Sequence, residues 1–186
     1  MLCGLAVLAL GACAPLDHLA PQEHLDTRSG DTLVVVNQPL VFARERSDVA
    51  VRARDYTTLV AVEADRAGRY SAYLLAYRWS TIDRRMTELP ASDQGALRVV
   101  ADGREVLLRP LAELPGALQA SEVLHAPRDA QYRVWGYATD LATLGYLADS
   151  QSLSLQFPRE SLPLEFQLWS DGRDALREFA ARGAGR

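Results

Sequence analysis

"TTLVAVEADRAGRYSAYLLAYRW", residues 57–79, decides the fold. Two apolar runs, Thr57–Ala64 and Arg69–Trp79, are joined by Asp65-Arg66-Ala67-Gly68. Both are rich in β-branched or aromatic residues, and a glycine-bearing turn separates them, which is the pattern of two paired strands. For part of their length they are apolar at successive positions. A strand with one wet face alternates, and a strand covered on both faces does not. These runs are therefore expected to be central strands of a packed sheet.

Shorter β runs lie on either side. Leu33–Val36 and Leu40–Arg44 come first, and Val49, Val51 and Ala53 alternate with Ala50, Arg52 and Arg54 as a half-buried strand would. Downstream, Leu97–Val100 and Glu105–Leu108 flank Asp102-Gly103, a strong tight-hairpin signal. Three prolines deny residues 109–128 long regular structure, leaving room for a short helix in "GALQASEVLH". The last third is clearer. Gln131–Ala138 reads as a strand, and Thr139 or Asp140 can cap a helix ending near Asp149. Leu153, Leu155 and Phe157 alternate, as do Leu164, Phe166 and Leu168. Ser170 or Asp171 then caps a final helix with Ala175, Leu176, Phe179 and Ala180 along one face, and Gly183 is its stop. Eight to ten strands and two late helices predict a mainly β domain, a two-layer β-sandwich with the helices at an edge or end. The alternative is an α+β domain whose C-terminal helix–strand–strand–helix part packs on one sheet.

The chain has 186 residues, 48% hydrophobic and 24% charged, which is ordinary globular usage. One domain of about 150 residues can bury a self-sufficient core. The net charge of −4 gives no general pull toward nucleic acid, and no nucleic-acid partner is expected. All 20 basic residues are arginine.

Residues 2–14 are Leu, Val, Ala, Gly or Cys throughout, too short a run to span a bilayer as a helix. Such a run fits the apolar region of a secretory signal. Leu10-Gly11-Ala12-Cys13 resembles the lipobox of bacterial lipoproteins. The resemblance covers only this segment and implies a diacylglyceryl group on the Cys13 thiol, with cleavage just before it. Several acyl chains anchor stably where one does not. In that class, alanine after the cysteine implies the outer membrane, facing the periplasm. The division expected is a signal segment over residues 1–12, a lipidated tether over 13–30 and one globular domain over 31–186. Two prolines and scattered charges give the tether no strand or helix period, and His18 and His24 are expected to be solvated there.

The residue types for most chemistry are scarce. The two cysteines, Cys3 and Cys13, both precede the domain, so neither a disulfide nor a thiolate ligand is expected within it. His125 is the one histidine after residue 30. A zinc site needs more, and a Ser-His-Asp hydrolase would need Ser80, Ser92 or Ser121 to meet His125. No glycine-rich phosphate loop, dinucleotide fingerprint or calcium loop is present, and "SDGRD" at 170–174 reads as a helix cap. No cofactor or metal is expected.

"YLLAYRWSTIDRR", residues 73–85, is the most suggestive stretch. Tyr77 and Trp79 share a strand face, Asp83, Arg84 and Arg85 follow at its exit, and Trp135 lies on another strand. One reading is a ligand platform of these six residues, with rings stacking on sugar and arginines reading anionic groups. The other is that the aromatics fill the core. Arg44, Arg46, Arg52 and Arg54 form a second set, read either as an anion patch or as a mixed solvated sheet face. The function expected is a membrane-anchored, non-catalytic envelope module with a protein or glycan partner. The alternative is a periplasmic hydrolase acting on an envelope polymer.

Overall fold

The computed structural model describes residues 18–48, 52–82, 95–119, 124–127, 130–158 and 163–183. Along the chain run β1 (Gln22–Leu25), β2 (Thr32–Val35), β3 (Leu40–Glu45), β4 (Arg54–Arg66), β5 (Arg69–Ser80), β6 (Leu97–Ala101), β7 (Arg104–Leu108), α1 (Gly116–Gln119), β8 (Tyr132–Thr139), α2 (Leu141–Asp149), β9 (Leu153–Phe157), β10 (Leu164–Ser170) and α3 (Arg173–Gly183). The protein is mainly β, with its two longer helices late, as the sequence predicts.

β4 and β5 pair antiparallel from end to end. Ala67 and Gly68, at φ of +53° and +83°, make the turn between them. Positive φ at both central positions matches the right-handed twist of the flanking strands. The Asp65 carboxylate accepts the Gly68 N–H at 2.7 Å and pins the turn. Asp102 and Gly103 repeat this geometry between β6 and β7, at the hairpin the sequence marks.

All ten strands join one antiparallel sheet. β8, β5, β4, β3, β10, β9, β6 and β7 lie side by side in that order. The ring closes where the Leu111 N–H donates to the Gly136 carbonyl at 2.8 Å and Pro110 bridges to Tyr137. The two layers expected of a sandwich are thus opposite walls of a single curled sheet. β2 and β3 share one edge of β4: β3 takes Arg54–Leu59 and β2 takes Val62–Asp65. The cross-strand row Leu40, Leu59, Ala76 and Trp135 points inward, toward Leu155, Phe157 and Phe166 of the facing wall.

Residues 110–119 and 124–127 explain why β4 and β5 are apolar on both faces. The segment leaves the seam beside Gly136, where an added Cβ would stand 2.2 Å from Leu114 Cδ2. It arrives at the end of β2, where His125 Nε2 hydrogen-bonds the Val36 carbonyl at 2.9 Å. β5 and β4 lie between these anchors. Ala117, Leu118 and Leu124 are buried in the same core as the outward-facing Val60, Val62 and Leu75. Ala117, Leu118 and Leu124 thus cover the outer face of the central strands.

α2 and α3 pack together at the end of the ring where β8 leads toward β9. Asp140 caps α2 by accepting the Thr143 N–H at 2.6 Å, and Tyr146 donates its hydroxyl to the Ala101 carbonyl at 2.8 Å. The α2-β9-β10-α3 order of the α+β alternative is present, but β9 and β10 belong to the common sheet.

Of the stretch expected to be tether, residues 13–17 lie outside the described residues, and residues 18–30 need correction. Asn37 Nδ2 donates to the His18 carbonyl at 2.6 Å, so the chain is docked from there. Gln22–Leu25 then forms β1 against β2, with Glu23 contacting Arg182 of α3. Only His24 of β1 is even half-buried, with no apolar partner alternating beside it. An edge strand held by ladder hydrogen bonds leaves no hydrophobic period to read. Of the alternation at 49–53, Val49–Val51 lie outside the described residues, and Ala53 stands just before β4.

Candidate functional site

Register builds a site on the outer face that no local pattern announces. Gln167 of β10 pairs with Ala43 of β3, Ala43 with Tyr56 of β4, Tyr56 with Trp79 of β5, and Trp79 with Tyr132 of β8. Paired residues share a face, so these form one row across five strands, about 19 Å at a strand spacing near 4.8 Å. Tyr56 and Trp79 stack at 4.3 Å between centroids and 13° between planes. Ala43 is small, and Trp169 reaches over it to meet Tyr56 edge-on at 6.2 Å.

Trp169 sits at a bulge. Leu168 pairs with Phe42 but Ser170 pairs with Val41, leaving Trp169 as the extra residue. Bulges bend the strand, re-aim a side chain and recur beside functional sites. The Arg54 guanidinium lies 4.5 Å from the Trp169 ring centroid, a cation–π contact. The Glu45 carboxylate accepts from Arg54 at 3.1 Å and raises its already high pKa further. Trp169 is nevertheless 57% exposed and Tyr132 42% exposed. At the same end of the molecule, Trp79 Nε1 donates to Thr58 Oγ1 at 3.3 Å.

The inner face at that end is polar. Of the nine buried polar or charged residues among those described, Arg46, Asp55, Thr57, Arg78 and Ser80 gather here. Asp55 accepts from Arg44 at 2.8 Å and from Arg46 at 3.3 Å. Arg46 also reaches Asp48 and holds that carboxyl below its usual range. The Arg78 guanidinium sits 4.9 Å from the Phe157 centroid and 5.5 Å from that of Phe166, so the aromatic core carries part of its charge. Tyr137 closes the layer beneath by donating to the Gly95 carbonyl at 2.6 Å.

The residues singled out from sequence are divided by this geometry. Tyr77 and Trp79 do share the outer face. Trp135 pairs with Ala76, which puts it on the inner face against Phe157, so one platform cannot include all three rings. Tyr77 is 4% exposed, lies edge-on to Tyr132 at 5.2 Å, and burial pushes its hydroxyl pKa up. Asp83, Arg84, Arg85 and Cys13 lie outside the described residues. The arginine set also splits: Arg44 and Arg46 turn inward to Asp55, while Arg54 lies outside over Trp169 and Arg52 is exposed. His125 bonds at Val36, which hydrogen-bonds Ala61, whereas Ser80 pairs with Asp55. Six positions of β4 separate them, about 20 Å. Ser92 and Ser121 lie outside the described residues.

Sequence reasoning missed Tyr56, Tyr132 and Trp169. The outward phase of Trp169 was available, because Leu164, Phe166 and Leu168 alternate inward ahead of it. Among the described residues no cluster of three or more His, Cys, Asp or Glu forms a metal-binding group. No family model, curated protein or solved structure matches the chain, so any function must be reasoned from its own residues.

Proposed function

We propose that the protein is a lipid-anchored module of a bacterial cell envelope, held at the outer membrane and facing the periplasm, which acts by binding. The exposed aromatic row is the observation that carries the binding half. Nothing in the core needs Trp169, which faces outward at a bulge beside a stacked ring pair. The Leu10–Cys13 lipobox supports the anchor. Geometry supports close tethering: the backbone is docked at His18, five residues beyond Cys13, and five residues reach at most about 18 Å. The domain would therefore ride close to the lipid surface.

Fractionation of cells carrying Cys13→Ala tests this reading. The variant is expected in the soluble periplasmic fraction, or as an unprocessed precursor. Unchanged outer-membrane fractionation overturns the anchor.

A further inference from the structure

We propose that the aromatic row is a subsite for a neutral, polyhydroxylated ring, a pyranose unit of an envelope glycan. This deepens the binding reading above and rests on it. Three observations select that chemistry.

The first is shape. Trp169 stands edge-on to Tyr56, at 80° between planes, beside the stacked Tyr56–Trp79 pair. The exposed Trp169 indole offers an apolar surface to a flat ring with C–H groups on its face. Arg54 occupies one side of that indole, yet Trp169 keeps most of its surface in water.

The second is charge. Arg54 and Glu45 pair at the rim of the row and cancel one another. A neutral pair gives no pull on a polyanion or an anionic lipid surface. It does place guanidinium donors next to carboxylate acceptors, and neighbouring hydroxyls, each both donor and acceptor, can use both. Gln167, exposed at the β10 end, adds an amide of the same dual character.

The third is size. A stable protein partner needs about 800 Å² from each side, and one aromatic side chain supplies only about 150–250 Å². Trp169 and Tyr132, the two exposed rings of the row, supply only part of that figure between them. They suit a ligand that lies along the row, whose length of about 19 Å spans several sugar rings.

The test uses the full chain in detergent micelles, labelled with nitrogen-15. The chain has three tryptophans, so three indole N–H signals can be assigned with single variants. Titration with N-acetylglucosamine tetramer, and separately with maltotetraose, is expected to move the Trp169 and Trp79 signals and leave that of Trp135 in place. Trp169→Ala should weaken binding by about tenfold or more, and Trp169→Tyr should restore most of it. Arg54→Gln should weaken it less. Circular dichroism confirms that each variant is folded. The proposal is overturned if neither sugar moves the Trp169 signal at millimolar concentration, or if Trp169→Ala binds as tightly as wild type. It is also overturned if only anionic-lipid vesicles move that signal. None of these failures touches the anchor, which the Cys13→Ala fractionation tests alone.

Discussion

Replacing Asp55 by asparagine should be among the most damaging single changes at the polar end of the ring. The Asp55 side chain is 6% exposed and accepts from Arg44 at 2.8 Å and Arg46 at 3.3 Å. Removing one partner of a buried ion pair costs about 3–5 kcal/mol, because the remaining charge stays desolvated. Two features place this case at the low end. Arg46 retains Asp48, and the Arg44 side chain is about a quarter exposed, so water recovers part of its solvation. The expected loss is about 3 kcal/mol. For a domain of this size that lowers Tm by about 6–12 °C. The urea midpoint should fall by roughly 1–3 M. Asp48→Asn is the matched control, since Asp48 bonds the same arginine from an exposed position and should cost no more than about 1 kcal/mol. Equal Tm shifts for the two variants would refute the reasoning, because they would mean that water already reaches both guanidinium groups.

Asp102 should link stability to pH. The backbone N–H groups of Ser152 and Gln151 hold its carboxyl below the usual range. The unfolded chain then binds more protons in acid, so the stabilisation is present above the unfolded value near 3.9 and fades as pH falls. The Tm gap between wild type and Asp102→Asn should shrink between about pH 6 and pH 3, and a constant gap would count against the contact. Leu118→Ala probes the cover on the outer face. It should cost about 2–5 kcal/mol in urea unfolding. Leu107→Ala, at an exposed position, should stay within about 0.5 kcal/mol. Similar losses would show that Leu118 does not seal the central strands.

The legible parts of the fold were local. The turn at Ala67-Gly68, the Asp102-Gly103 hairpin, the alternation of β9 and β10 and both late helices follow from neighbouring residues. The doubly apolar runs of β4 and β5 announced a cover on each side. They could not announce its identity, because Leu118 is distant from these strands in sequence. Register was equally hidden. Whether Trp135 stands opposite Ala76 or Tyr77 decides which face it serves, and a shift of one residue reverses the answer. The aromatic row depends on four such registers together with a bulge. Each ring is visible in the sequence, but the row is not. β1 was missed for the opposite reason, having ladder bonds and almost no side-chain burial.

Intact mass and N-terminal peptide analysis of the protein extracted from bacterial membranes most directly tests whether it is lipid-tethered. The account predicts a mature chain that begins at Cys13, carries a diacylglyceryl thioether and lacks the preceding twelve residues. A free thiol at Cys13, with those residues still attached, would contradict it.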